Sequence, residues 1–296
     1  MATLVMQSEV GWRTENLGAL LFAARNRAVQ AKLAVLYGQG HAIVTDAQLA
    51  LFHNLDRSGA RPTLIAERAG LTKSSISELV ERAVVMGLVE RVADPHDGRA
   101  KRICYTPPGL AFLELLETAI AVADDGFLAA VGPVAMRHTV ATLAQYAELD
   151  GTAASGNIGR LFGRAARRFV GDVLARTDGN IGEPRLMLFR ALDLDGTRLT
   201  DVAARSNVTK QAMRETIALA VQAGFIEARP DPEDGRARLL AFTPTGLTVL
   251  AQLRLAVTDA ERDVACLLGD PALGDLRRQL KTWLATDQAK LRPTNQ

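Results

Sequence analysis

Apolar and small residues recur along the chain at intervals of three and four, the spacing that places them on one side of a helix. The clearest stripe is Leu113, Leu116, Ile120, Ala123 and Phe127, repeated as Leu250, Leu253, Val257, Ala260 and Val264. Its 3-4-3-4 rhythm predicts a long helix with a narrow seam suited to helix–helix packing. A shorter stripe, Ile76, Leu79, Val80 and Ala83, is matched by Met213, Thr216, Ile217 and Ala220. The opposite side carries Lys73, Ser74, Ser77, Glu78 and Glu81, or Lys210, Gln211, Arg214, Glu215 and Ala218, and the helix ends at Gly87 or Gly224. A short helix is predicted just before it, capped by Thr63 or Thr200 and stopped at Gly70 or Asn207, the residues most tolerant of a left-handed cap. Only Leu71 or Val208 then intervenes before Thr72 or Thr209 caps the next helix. Helix, tight turn and helix make a helix-turn-helix arrangement. Long Ala/Leu/Arg-rich helices are expected upstream at Thr14–Leu36 and Ile158–Ala175, with second helices at Thr45–Leu55 and Glu183–Leu192. Last helices carry Met136, Leu143 and Tyr146, or Leu273, Leu280 and Trp283.

Between the helices the pattern changes. Leu88-Val89-Glu90-Arg91-Val92 and Arg102-Ile103-Cys104-Tyr105-Thr106 are β-prone, and Asp94-Pro95-His96-Asp97-Gly98-Arg99-Ala100 separates them. The segment returns as Asp231-Pro232-Glu233-Asp234-Gly235-Arg236-Ala237. Asp-Gly between such runs predicts a hairpin, because glycine accepts positive φ without steric cost, and Arg99 or Arg236 is expected near its tip. Thr106-Pro107 and Thr243-Pro244 then read as an N-cap with proline at the first helical position. The likeness is extensive: Leu51–Leu110 and Leu188–Leu247 agree at 26 of 60 positions, at an offset of 137 residues. Upstream the offset becomes 141, Asn16 matching Asn157, so the first copy has four extra residues near Tyr37–Ile43. The expected organisation is a duplication: one unit at 1–150, a small and polar linker at 151–156 and a second unit at 157–296. The fold class is mainly α with small β-wings (α+β), as two tandem winged helix-turn-helix units with helical segments of the dimerisation type.

Composition alters this picture little. The apolar share of 48% suffices for packed cores, and with aromatics at 5% they must be filled by Leu, Ala and Val. The net charge of +2 does not mark the whole chain as a nucleic-acid binder, although residues 1–152 carry −2 and residues 153–296 carry +4. Cys104 and Cys266, with no CxxC or Cys/His cluster, argue against zinc and a disulfide framework. No nucleophile motif or phosphate-binding glycine loop is present, so an enzyme is the least favoured class and no cofactor is expected. Without a long apolar run or a leader pattern, the chain reads as cytoplasmic, with no membrane partner.

The Leu88-Val89-Glu90-Arg91 run, the wing Asp94-Pro95-x-Asp97-x-Arg99-Ala100 and Thr106-Pro107-x-Gly109 resemble the MarR family of bacterial transcriptional regulators. The second copy repeats the likeness from Phe225-Ile226-Glu227 to Thr243-Pro244-x-Gly246. That family ordinarily has one unit per chain and dimerises; here the dimer looks fused into one polypeptide, an intrachain pseudo-dimer. The resemblance implies that Thr72, Lys73, Ser74, Ser75 and Ser77, with Thr209, Lys210, Gln211 and Arg214, present the recognition helices to the major groove. It also implies that Arg99, Lys101, Arg236 and Arg238 carry wing contacts, while Asp94, Asp97, Gly98, Asp231, Asp234 and Gly235 shape the wings. Glu78 and Glu215 would repel phosphate; each either accepts from cytosine N4 or pairs with a nearby arginine, and pairing is the favoured reading. Arg160, Arg164, Arg167 and Arg168 read as a solvated helix face, with an anion or DNA-backbone contact as the alternative. His41, His53, His96 and His138 are scattered as structural or surface residues. Redox-sensing relatives use a cysteine in the first helix, which neither Cys104 nor Cys266 matches. Relatives often take a small aromatic or phenolic effector between the winged-helix lobe and the dimerisation helices, where Trp12 or Tyr37 would stand, although core packing suits both. The leading function is a sequence-specific, double-stranded-DNA-binding regulator, a repressor, with one monomeric chain on an operator of two unequal half-sites. The competing class is a tandem winged-helix module that binds protein; Lys73, Lys210, Arg99 and Arg236 argue against it, since acidic or apolar residues would be expected there.

Overall fold

The computed structural model describes residues 12–95, 97–147, 157–177, 179, 181–206, 210–234 and 237–286, and only the backbone of Gly98, Arg99 and Ala212. The linker expected at 151–156, together with His96, Asn207, Val208, Thr209, Gly235 and Arg236, lies outside the described residues. Two compact units result. Residues 25–136 with 157–159 and 286 form the first, and residues 12–24, 137–147 and 160–285 the second.

After a helical turn at 12–15, the elements of the first half are α1 (Leu17–Gly38), α2 (Asp46–Phe52), α3 (Pro62–Ala69) and α4 (Lys73–Val85). There follow the antiparallel strands β1 (Val89–Asp94) and β2 (Asp97–Tyr105), then α5 (Pro107–Val131) and α6 (Pro133–Tyr146). The second half repeats the order as α7 (Ile158–Leu174), α8 (Glu183–Ala191), β3 (Thr197–Arg198), α9 (Leu199–Ser206) and α10 (Lys210–Gln222). It closes with β4 (Ile226–Pro230), β5 (Arg238–Phe242), α11 (Pro244–Leu268) and α12 (Asp270–Ala285). Strand β3 was not anticipated; it pairs through Thr197 and Arg198 with Leu240 and Leu239, giving a sheet of order β3-β5-β4. In the first unit the same place holds a single bridge, Ala60 to Ile103. An extended pair at the foot of a wing, too short to show any alternation, leaves no sequence signal.

The apolar stripes become cores. Ile76, Leu79, Val80 and Ala83 of α4 are buried with Phe52, Ile65, Leu116 and Phe112. Phe112 packs tilted on Phe52 at 4.7 Å and edge-on to His41 at 5.0 Å. In α10, Met213 and Ala220 are buried, but Thr216 and Ile217 are only half-buried. In the second unit Phe162 packs on Trp283 at 5.6 Å.

Local chemistry sets the element ends. Gly70 adopts φ +65° and closes α3 in the left-handed region. Thr72 caps α4, its hydroxyl accepting from the Ser75 N–H at 3.1 Å. Thr63 and Thr200 are not caps. Helix α3 begins at Pro62, whose fixed φ and missing N–H suit the first helical position, behind Arg61, which makes no side-chain cap bond. Thr200 already lies inside α9. Thr106 and Thr243 cap α5 and α11 as expected, and each hydroxyl also donates back to the carbonyl of Gly87 or Gly224 at 2.5 Å. Gly109 and Gly246 let helix and wing approach closely: a Cβ there would fall 1.8 Å from the Leu88 carbonyl oxygen or 1.9 Å from that of Phe225.

The first hairpin closes before the Asp97-Gly98 pair at which it was expected to reverse. Asp94 pairs with Asp97, so the chain has turned before Asp97, Pro95 lies in the turn, and Gly98 lies within β2. Proline presets the leading position of a turn, and the register slips between Ala93 and Asp94 to accommodate it. In the second wing Pro230 pairs with Arg238, and the Asp231 N–H donates to the Ala237 carbonyl at 3.1 Å across the loop.

Candidate nucleic-acid interface and an adjoining cleft

The start of α4 is solvent-facing. Lys73, Ser74 and Ser77 are exposed and Ser75 half-buried. The serine hydroxyls are engaged within their own helical turn: Thr72 Oγ1 lies 2.9 Å from Ser74 Oγ and 2.8 Å from Ser75 Oγ, and Ser77 donates to the Lys73 carbonyl at 2.9 Å. On α10, Lys210, Gln211, Arg214 and Glu215 are exposed. Glu81 of α4, three residues beyond Glu78, pairs with Arg91 at 2.7 Å.

Each wing is fastened at its base by an ion pair that the sequence reading missed. Arg61, immediately before α3, donates through Nε to buried Asp94 at 2.6 Å. Arg198, immediately before α9, donates through Nε to buried Asp231 at 2.8 Å. The two pairs stand at the same repeat offset, which was the available signal. Asp231 also accepts from the Glu233 N–H at 2.9 Å, and these bonds hold its carboxyl below the usual carboxylate range. Asp234 lies 4.0 Å from Arg198. So Asp94 and Asp231, at the bases of the wings, are each tied to a partner outside the hairpin. Lys101 and Arg238 are exposed, Arg238 donating to the Ala228 carbonyl at 3.1 Å on its own hairpin. Arg102, not singled out earlier, ties β2 to the Ser58 and Gly59 carbonyls at 3.1 and 2.7 Å. The Arg99 side chain, Thr209, Arg236 and Gly235 lie outside what is described.

The second unit also contains a cleft of about 310 Å³ lined by Arg13, Thr14, Phe22, Met187, Arg190, Ala191, Asp193, Arg205 and Ser206. The Arg13 guanidinium donates to the carbonyls of Phe189 and Leu192 at the C-terminal end of α8, where the helix dipole favours a cation. Arg190 stands 5.5 Å from the Phe22 ring; its Nε is buried without a hydrogen-bond partner, and burial lowers its pKa. Ser206 is 4% exposed, and its hydroxyl also has no partner. Arg205 pairs with Asp193 at 2.7 Å. Trp12 lines a smaller apolar cavity that shares Arg13 and Arg190. Tyr37 instead donates to the Val44 carbonyl at 3.0 Å. Arg168 donates to the Tyr146 carbonyl at 2.5 Å and lies over that ring, a structural role. Among the described residues no cluster of three metal-ligating side chains occurs, and no single helix is long and apolar enough to cross a membrane.

A helix-turn-helix followed by a two-stranded wing and a long helix defines a winged-helix protein of the DNA-binding class. The chain belongs to the MarR family of transcriptional regulators: that family's model matches residues 44–100, and PcaV of Streptomyces coelicolor, solved with its natural ligand, is 33% identical. The PcaV match covers 34% of this chain and 72% of PcaV, with a TM-score of 0.29. BpsR of Bordetella bronchiseptica, whose DNA binding is regulated by 6-hydroxynicotinic acid, is 20% identical over 42% of this chain and 96% of its own, with a TM-score of 0.37. CouR of Rhodococcus jostii RHA1, a repressor solved on a 23-mer DNA duplex, is 23% identical over 42% and 90%, with a TM-score of 0.38. No curated protein matches the chain.

Proposed function

We propose that this chain is a sequence-specific, double-stranded-DNA-binding repressor in which one polypeptide supplies both recognition helices that a dimer would otherwise provide. The observation that carries the reading is the recurrence, at one repeat offset, of an exposed basic helix start and a wing fastened by a buried aspartate: Lys73 with Arg61–Asp94, and Lys210 with Arg198–Asp231. A surface that only had to stay soluble has no need of that pair twice. Lys73, Ser74, Ser75 and Ser77 would face one half-site, Lys210, Gln211 and Arg214 the other, and Arg99, Lys101, Arg236 and Arg238 the flanking backbone or minor groove. A small aromatic ligand would release the DNA by favouring a spacing of the recognition helices that does not fit it.

The deciding experiment is a titration of the full chain with its operator, selected from random duplex, over a range of salt. With roughly 6–10 phosphates neutralised, affinity falls steeply as salt rises. Arg99→Ala combined with Arg236→Ala weakens binding by several kcal/mol, at about 1–3 kcal/mol for each lost groove contact. Salt-independent binding, or unchanged affinity in that double variant, refutes the assignment.

A further inference from the structure

The last helix of each copy carries one apolar stripe. In α12 it is Leu273, Leu276, Leu280 and Trp283, all buried. In α6 the same four positions, 137 residues earlier, hold Met136, Thr139, Leu143 and Tyr146. Thr139 therefore stands in a stripe that is otherwise built of large side chains, and it is 1% exposed. Its hydroxyl donates to the side-chain carbonyl of Gln279, itself buried beside the α12 stripe. The repeat does not copy this bond. Thr139 corresponds to Leu276 and Gln279 to Thr142, so leucine and threonine stand where a mirrored bond needs threonine and glutamine.

We propose that the Thr139–Gln279 bond is a partner key: through it the terminal helix of the first copy accepts that of the second and rejects a helix like itself. A lone polar residue in an apolar helix seam selects partner and register, because only one arrangement satisfies it. Two such chains can pair their terminal helices in three ways. With α6 on α12, the Gln279 carbonyl accepts from Thr139. With α6 on the α6 of a second chain in the same geometry, Thr139 meets Thr142, and the space that the longer glutamine fills is left empty, which packing disfavours. With α12 on a second α12, Gln279 meets Leu276, and its amide is buried with no donor or acceptor. An unpaired buried amide is disfavoured by more than the bond itself is favoured, so the selection comes mainly from the mispaired arrangements. The linker raises the local concentration of the second copy, but by itself it leaves like-with-like pairing between chains open. The buried bond closes that route, and it equally refuses a one-unit chain whose terminal helix lacks the glutamine. This inference rests on the reading of the chain as a pseudo-dimer and names the residues that make its pairing one-way.

The test exchanges the key residues in the full chain. Thr139→Leu with Thr142→Gln gives α6 the residues of α12, Leu276→Thr with Gln279→Thr does the opposite, and all four substitutions together turn the bond round. Each two-residue variant unfolds at least about 2–4 °C below the wild-type chain, and the four-residue variant recovers most of that loss. Refolded together, the two two-residue variants form a two-chain complex, read by light scattering, in larger amount than either forms alone. Thr139→Val, which changes shape little and removes only the donor, lowers the midpoint in a folded chain, and adding Gln279→Met recovers part of it. An unchanged midpoint in Thr139→Val, no recovery in the four-residue variant, or no excess of two-chain complex in the mixture overturns the proposal. Counting wild-type chains on the operator keeps the two readings apart. One chain per operator without recovery in the four-residue variant removes the key and leaves the pseudo-dimer, and two chains per operator with full recovery does the reverse.

Discussion

At the residue scale, the sharpest constraint is steric. Gly109 and Gly246 sit where a Cβ would lie within 2 Å of a backbone carbonyl oxygen at the turn into each wing. Backbone cannot swing aside as a side chain can, so Gly109→Ala forces helix α5 away from β1. The expected cost is about 1–3 kcal/mol or more, read as a lower unfolding midpoint in urea with DNA affinity falling in parallel. Phe112, 1% exposed and packed between Phe52 and His41, is a different case: Phe112→Ala leaves a cavity and costs about 3–5 kcal/mol. On the proposed recognition surfaces, the serines of α4 already spend hydrogen bonds within their own turn, whereas Arg214 of α10 is exposed. Arg214→Ala is expected to relax base preference in one half-site by about 1–3 kcal/mol, and Ser77→Ala to change little. Binding to operators with swapped half-sites reads both effects, and an equal response of both half-sites to Arg214→Ala refutes the assignment.

At the scale of elements, the wing is a hairpin with a tether. Arg61 and Arg198 come from the chain just before α3 and α9, and Asp94 and Asp231 from the wing bases, so each pair joins the helix-turn-helix to its hairpin. Arg198→Ala leaves Asp231 buried with one partner fewer. Its pKa, held low in the folded chain by the Glu233 N–H and Arg198, then rises towards the ordinary value. Because the folded pKa is depressed, the stabilisation is present above the unfolded value of about 3.9 and is lost as pH falls through the lower folded value. Arg198→Ala should shift that loss upward in pH. Amide exchange across β4 and β5 as a function of pH measures this directly, and an unshifted profile removes the tether from the account.

At the scale of the molecule, the expectation is one chain on one operator. An ordinary homodimer presents identical helices to a symmetric site. Here Lys73-Ser74-Ser75 and Lys210-Gln211-Ala212 differ, so the two half-sites, about one helical turn apart, should differ as well. Light scattering on the complex with a minimal operator counts the chains. A mass corresponding to two chains on two half-sites contradicts the proposal. Each unit is in itself built from both halves of the sequence: Asp124 of α5 accepts from the Ile158 N–H at 2.9 Å, and Glu261 of α11 accepts from the Leu17 N–H at 2.8 Å. Those bonds join helix starts from one half of the sequence to helices of the other.

The amino-acid pattern by itself determined most of the local architecture. Periodicity marked α4 and α5, threonine and proline marked their starts, and the repeat doubled every inference, because these signals act within a few residues of one another. It failed where the deciding partner is remote. The start of α3 went to Pro62 and not to a Thr63 cap, and the hairpin reversed at Pro95 and not at Asp97-Gly98. The Arg61–Asp94 and Arg198–Asp231 tethers and strand β3 span more than thirty residues, beyond the reach of any period. The cleft went further still, since Arg13 meets α8 across 176 residues of chain. A sequence can state that an arginine is present, but only the folded chain decides which carbonyls, rings and unpartnered hydroxyls surround it, and so whether its charge is spent on structure or left for a ligand.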